Sequence, residues 1–196
     1  MIIGLTGSSG SGKSIAAEFF AEKGFFIIDY DKISREICNP GEPCLTELTE
    51  HFGCDIIDEK GELKRKKLGE IVFADKEKLA LLNAITHKYI LQKSDTLKEE
   101  NNHRDIIMDA PLLFEAGLDE QCDYVVSILC DAEIQIQRIM ERDDISRDTA
   151  AGRIASQHSH EYFRDKSDFC IYNNSTRQEF RAKLEKLLED IYAGHC

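Results

Sequence analysis

A doubly wound α/β fold on a five-stranded parallel sheet, with a helical insertion and a helical lid, is predicted by three features of this 196-residue sequence. Five short apolar blocks are compact rather than alternating, as strands covered on both faces require. Helical patterns follow such blocks at both ends of the chain. The middle, from about Asp31 to Asn102, carries helical periodicity alone. At this length one domain with insertions is the expected organisation.

The apolar blocks cover residues 1–6, 25–29, 105–110, 123–130 and 168–172. After the first, residues 13–23 place Ile15, Ala16, Phe19 and Phe20 on one side of a helix that stops at Gly24, a C′ glycine. Residues 132–142 repeat the pattern with Ile134, Ile136 and Ile139. The last helix begins at Thr176, has Glu179 three residues on as in a capping box, and carries Phe180, Leu184, Leu187, Leu188 and Ile191. Leu79, Leu82, Ile85, Tyr89 and Ile90 mark the middle as helical. It is too long for one crossover, so an inserted helical subdomain is expected.

Net charge is −12. Such a field repels phosphates in general, which disfavours nucleic acid and anionic membrane as partners and makes any phosphate site a local one. No 18-residue apolar stretch is found, and Met1-Ile2-Ile3 is too short, with no basic lead, to read as a signal peptide. Seven cysteines, an odd number with no C-x-x-C pair, read as reduced thiols rather than a disulfide framework or zinc site. A cytoplasmic location is expected.

Gly7-Ser8-Ser9-Gly10-Ser11-Gly12-Lys13-Ser14 satisfies G-x-x-x-x-G-K-[ST], with a strand before it and a helix after it. Glycines let the loop curl so that successive N–H groups face one anion, and the helix N-terminus adds partial positive charge. Lys13 supplies a cation for the β- and γ-phosphates, and the Ser14 hydroxyl suits Mg²⁺. ATP is therefore the expected co-substrate. No N-K-x-D and no L-S-G-G-Q motif accompanies the loop, which leaves a small-molecule kinase as the best class.

A kinase also needs an acceptor side. Phe25-Phe26-Ile27-Ile28-Asp29-Tyr30-Asp31 is an apolar strand ending in two carboxylates, and ligands gather at such strand ends. Either Asp29 or Asp31 is a candidate base, with helix N-capping by Asp31 as the competing role. Ile106-Ile107-Met108-Asp109 ends likewise, which makes Asp109 a Walker-B-like candidate for Mg²⁺ through water; Glu115 follows in the next loop. Between Lys98 and Lys166 there are six arginines and no lysine. Arg138 and Arg142 share a helix face, and Arg142-Asp143-Asp144 reads as the hinge of an arginine-bearing lid that excludes water. Salt bridging is expected to account for at least two of the six. The run Lys64-Arg65-Lys66-Lys67 reads as a solvated helix face. His87 reads as packed within an apolar helix, and His158 and His160 as residues without acid–base geometry.

The chain resembles the dephospho-CoA kinase family nearly end to end. The resemblance rests on GLTGSSGSGKS, IIDYD, the Asn39-Pro40-Gly41 turn, LKRKKLGEIVF, DAPLLFE, QRIMERDD, RIASQ and DFCIYNN, in that order. It implies ATP-dependent phosphorylation of the ribose 3′-hydroxyl of dephospho-CoA, with Mg²⁺ as cofactor. By that resemblance Asp31, Lys13 and Arg142 are catalytic, and Gly10, Ser11, Gly12, Lys13, Ser14, Ile15, Arg142 and Asn174 bind ATP. Asp31, Arg65, His87, Leu113 and Glu115 bind the acceptor. The expected division is a nucleotide-binding core of residues 1–30, 103–137 and 166–196, an acceptor-binding insertion of residues 31–102 and a lid of residues 138–165. Three positions depart from the family pattern: Ile15 where threonine is usual, Lys88 where proline is usual and Phe163 where lysine is common.

Overall fold

The computed structural model of the protein describes residues 1–194. Cys196, one of the seven thiols, lies outside the described residues. The chain divides into two compact units: Met1–Ile28 together with the chain from His103 onward, and Asp29–Asn102.

The first unit is built on a five-stranded sheet in the order β2-β3-β1-β4-β5. Its strands are β1 (Ile2–Gly7), β2 (Phe26–Asp29), β3 (Ile106–Asp109), β4 (Tyr124–Leu129) and β5 (Phe169–Tyr172), each within two residues of its apolar block. β1 pairs in parallel with β3 through Ile3↔Ile107 and with β4 through Leu5↔Val126; β4 pairs in parallel with β5 through Ile128↔Ile171. The chain leaves β1 in one direction for β2 and returns through β3, then crosses to β4 on the opposite side. β1 is thus the switch point of the sheet, and the loop that follows it opens at the carboxyl ends of the strands, where ligands bind in such folds.

One face of the sheet is covered by α1 (Lys13–Glu22) and α9 (Arg177–Tyr192). Ile3, Leu5, Ile107, Val126 and Ile128 meet Ala16, Phe19 and Phe20 from α1 and Phe180, Leu184, Leu187, Leu188 and Ile191 from α9. The helical stripes read from the sequence are the ones buried here. α9 is capped as its sequence requires, Thr176 accepting from the Glu179 N–H at 3.3 Å. α1 ends before Gly24, which takes φ +94°. On the other side of β1, Gly4 lies so close to Leu113 and Cys122 that a Cβ there would sit 2.8 Å from each. This close approach fully buries Leu113.

Three helices lie between β4 and β5: α6 (Ala132–Asp143), α7 (Arg147–Ala155) and α8 (His160–Lys166). α6 and α7 pack through Ile136, Ile139 and Ala150, with Met140, Ile145 and Ile154 around them. Between them the backbone reverses at Asp144, at φ +50°, a left-handed conformation that aspartate tolerates better than most residues.

The second unit contains α2 (Tyr30–Glu36), α3 (Pro43–Phe52), α4 (Arg65–Phe73) and α5 (Lys76–Glu100). It is helical as expected, apart from one antiparallel bridge between Ile57 and Leu63. Tyr30 and Ser94 share a buried hydrogen bond of 2.6 Å that ties α2 to α5. The six described cysteines are free. Cys38 and Cys44 flank the Asn39-Pro40-Gly41 turn and share a hydrogen bond. That bond brings the Cys38 thiol down to about 7 against its burial, with Arg65 assisting, and pushes Cys44 up.

Candidate active site

The site begins with a loop whose shape is fixed from outside. Gly7 closes β1 at φ +147°, where a Cβ would lie 2.2 Å from the Ile128 carbonyl oxygen. Beyond it, three side chains from other elements hold successive carbonyls. Gln135 Nε2 on α6 donates to the Ser9 oxygen at 2.6 Å. One turn on, Arg138 Nη1 donates to the Gly10 oxygen at 3.4 Å. Asn173 Nδ2, just past β5, donates to the Ser11 oxygen at 2.8 Å. Gln135 and Asn173 are almost fully buried. In a trans peptide the N–H points opposite to the C=O. Carbonyls of Ser9 and Ser11 drawn outward therefore turn the N–H groups of Gly10 and Gly12 to the inner side of the loop, the arrangement that cradles an anion. The buried hydroxyls of Ser8 and Ser11 find no hydrogen-bond partner among the described residues. Gly12, at φ +98°, is hemmed in by Asn173 Nδ2, which a Cβ would approach to 2.2 Å.

Charge around the loop is arranged to match. Lys13 pairs with Asp109 at the end of β3, and both are largely buried. Arg142, in the last turn of α6, reaches Ser9 Oγ at 3.4 Å and pairs with Asp143 at 2.7 Å. Arg153 also pairs with Asp143. The hydrogen bond from Arg142, aided by both positive charges, holds the Asp143 carboxyl at about 2 and raises Arg142 in turn. Of the six arginines, Arg138 and Arg142 point at the loop. Arg147, Arg153 and Arg164 are in ion pairs with Glu133, Asp143 and Glu161. Arg104 instead donates to the Gly24 and Phe25 carbonyls.

Ser14 is exposed in the first turn of α1, and Ile15 packs against the apolar cluster, a position where a threonine hydroxyl would have little to bond. Glu115, after β3, is 2.8 Å from His158 Nε2.

The structure places the predicted residues as follows. Asn174 Oδ1 accepts from the Asp131 N–H at 2.8 Å, and the neighbouring Asn173 is the residue that donates to the loop. The two asparagines follow β5 directly and bond to different partners, and the sequence alone does not say which one meets the loop. Leu113 is fully buried beneath β1 and offers no surface to an acceptor, whereas Leu112 beside it is 63% exposed. The cap of α2 is Asp29, which accepts from the Lys32 N–H at 2.8 Å, so Asp31 is not the capping residue and stands exposed in the first turn. His87 is exposed on α5 rather than packed. His158 and His160 both have partners, Glu115 and the Tyr172 ring. Phe163 is buried near Phe114, as an apolar residue would be where the family has lysine. Gln135, Asn173 and Gln157 were not singled out from the sequence. The G-K-S motif names the loop and not the residues that shape it; the one sequence signal was the clustering of Gln135 and Arg138 on one helical turn.

Asp31, Arg65 and His87 belong to the second unit. Arg65 opens α4, is exposed, and donates to the Arg35 carbonyl at 3.5 Å, one turn of α2 beyond Asp31.

A phosphate-cradling loop at the switch point of a parallel sheet is common to many kinases, and comparison with known proteins separates them. A family model described as dephospho-CoA kinase matches residues 1–179. The chain belongs to the dephospho-CoA kinase family. A dephospho-CoA kinase of Fusobacterium nucleatum is 44% identical over 97% of this chain and 98% of its own length. A dephospho-CoA kinase from Campylobacter jejuni has a similar structure, with a TM-score of 0.72 and 31% identity over 100% of this chain and 98% of that one. The crystal structure of a Thermus thermophilus protein overlays with a TM-score of 0.83 at 26% identity, over 100% of this chain and 98% of that one. Membership in the dephospho-CoA kinase family makes this chain a phosphotransferase with ATP as its co-substrate.

Proposed function

We propose that this chain transfers the γ-phosphoryl group of ATP to the ribose 3′-hydroxyl of dephospho-CoA, giving ADP and CoA, with the residue roles that follow. The observation that carries the reading is the loop Gly7–Ser14, its carbonyls drawn outward by Gln135, Arg138 and Asn173, in a chain of this family. A loop shaped before the nucleotide arrives loses little energy in reorganising at the moment of transfer.

Lys13 follows the charge that develops on the transferred phosphoryl group, exchanging its pairing with Asp109 for the phosphate oxygens. Arg142 and Arg138 add bidentate guanidinium contacts from the lid side. Mg²⁺ fits the oxygens present: the exposed Ser14 hydroxyl and, through water, the Asp109 carboxylate. Such hard ligands suit Mg²⁺, which keeps several waters and is completed by substrate phosphates rather than by a protein cage. When bound, it neutralises charge on the β- and γ-phosphates. Asp31 accepts the proton of the 3′-hydroxyl, and Asp29 leaves it free to do so by taking the cap of α2. Arg65, His87 and Glu115 serve the acceptor. Residues 31–102 act as the acceptor-binding insertion, residues 138–165 as the lid and the remainder as the nucleotide-binding core. The cytoplasm, where ATP is supplied and thiols stay reduced, is the proposed location. No described helix is long and apolar enough to cross a membrane.

The test is ADP formation by the purified protein with ATP, Mg²⁺ and dephospho-CoA. Turnover should depend on the acceptor; a rate equal to the acceptor-free rate overturns the reading. Asp31→Asn should lower kcat by about 10²-fold, the usual scale of a general base, and a near-normal rate moves the base elsewhere.

A further inference from the structure

α7 and α8 are joined by four residues, Ser156 to Ser159. Two neighbours in that joint reach different loops. Gln157 Oε1 accepts from the Ser9 N–H of the phosphate loop at 3.0 Å. His158 Nε2 lies 2.8 Å from Glu115 Oε1 in the loop after β3. Both contacts are braced by neighbouring groups. The other side of Ser9 is held by Gln135, so both peptide planes of that residue are fixed. The His158 ring is stacked on Tyr162, 3.8 Å between centroids and 12° between planes. Tyr162 in turn meets Phe114 edge-on at 5.7 Å, next to Glu115 in the chain. The Lys166 ammonium lies over both rings, 5.1 and 5.3 Å from their centroids.

We propose that Gln157 and His158 are positioning residues that couple the phosphate loop to the Glu115 loop. The proposal rests on the kinase reading above. Consecutive Cα atoms are about 3.8 Å apart and joined by a planar peptide, so a shift of one side chain's root carries the other with it. When nucleotide settles the Ser9 peptide, Gln157 transmits its position to His158, and His158 sets Glu115. Group transfer needs both partners in line, and a misplacement of about 1 Å costs on the order of 10²-fold in rate. A lever between the two loops keeps phosphoryl transfer to the acceptor ahead of transfer to water.

Gln157→Ala, His158→Ala and the double variant test this in two ways. The first uses hydrogen exchange with a non-hydrolysable ATP analogue. In the wild type the analogue should slow exchange in residues 7–15 and also in 108–118. Both single variants should keep the first effect and lose the second by about fivefold or more, the lower end of common coupling strengths. The second compares ADP formed with and without dephospho-CoA. The ratio should fall about tenfold in each single variant, with KM for ATP changed far less than kcat. Because the two residues act in series, the double variant should be no worse than the worse single one. Losses that add in the double variant, or protection of 108–118 that persists in both singles, overturn the proposal. A wild type that shows no acceptor-dependent ADP overturns the kinase reading, while the exchange experiment still decides the coupling.

Discussion

The phosphate loop and the helical insertion use polar residues in opposite ways. Around the loop, polar side chains are buried and bonded to backbone: Gln135 to Ser9, Asn173 to Ser11. In the insertion most lie outside, and the buried pair Tyr30–Ser94 joins side chain to side chain rather than to backbone. α5 runs for 25 residues with only Ile85 and Ser94 buried, and all four basic residues from Lys64 to Lys67 are exposed. A loop that must present N–H groups in one geometry needs its carbonyls anchored by groups that cannot wander. A helix supplies its own backbone bonds and needs no such anchors, so its polar residues are free to meet solvent or ligand.

That contrast can be broken or sharpened by mutation. The largest effect expected is on the loop's cation: Lys13→Ala should cost roughly 2.7–4 kcal/mol of transition-state stabilisation, about 10²- to 10³-fold in kcat, as for other preorganised electrostatic donors. Steady-state kinetics check it, with a melting curve to show that the fold survives. Next is an anchor. Asn173→Ala leaves the Ser11 carbonyl buried without its donor and should destabilise the protein by about 1–3 kcal/mol, read by urea unfolding, while raising KM for ATP. If KM is unchanged, the loop holds its shape without the anchor and the contrast fails. The insertion offers the matched control. Lys88 pairs with Glu47 at 2.6 Å on the surface, so Lys88→Ala should leave the melting temperature within error of the wild type.

The smallest effect is electrostatic and lies at the junction of α6 and α7. Asp143 is held at about 2 by the hydrogen bond and charge of Arg142 and the charge of Arg153, below its ordinary 3.8. A depressed carboxyl adds stability in full above the ordinary value and loses it as pH falls from about 4 to about 2. At neutral pH the Arg142–Asp143–Arg153 cluster is therefore insensitive to pH. Carboxylate NMR should give a midpoint near 2, and Arg142→Ala should bring it up toward 3.8.

Most of the fold was legible because it is written locally. A strand needs a compact apolar block, a helix needs a stripe and a cap, and a phosphate loop needs glycines in register with Lys13 and Ser14. Each of these is a pattern over a few consecutive residues, and the five strands, the α1 and α9 stripes and the Thr176 cap follow it. Choices between neighbours were not legible. Asn173 and Asn174, Leu112 and Leu113, Asp29 and Asp31 are chemically alike within each pair, and the sequence does not say which member anchors the loop, which is buried and which caps α2. Which of two adjacent side chains turns inward depends on where a strand ends and what it packs against. For Leu113 that is Gly4 on β1, 109 positions away in the chain.

By itself, then, the sequence determined the parallel α/β core, the helical insertion, the position of the phosphate loop and the family. Only the tertiary structure decided which side chains give that loop its shape. The anchoring contacts join Ser9 to Gln135 and Gln157 and Ser11 to Asn173, across separations of 126, 148 and 162 residues. No periodicity spans such distances; the contacts exist because parallel strands and their crossovers bring the carboxyl ends of β1, β4 and β5 to the same edge of one sheet.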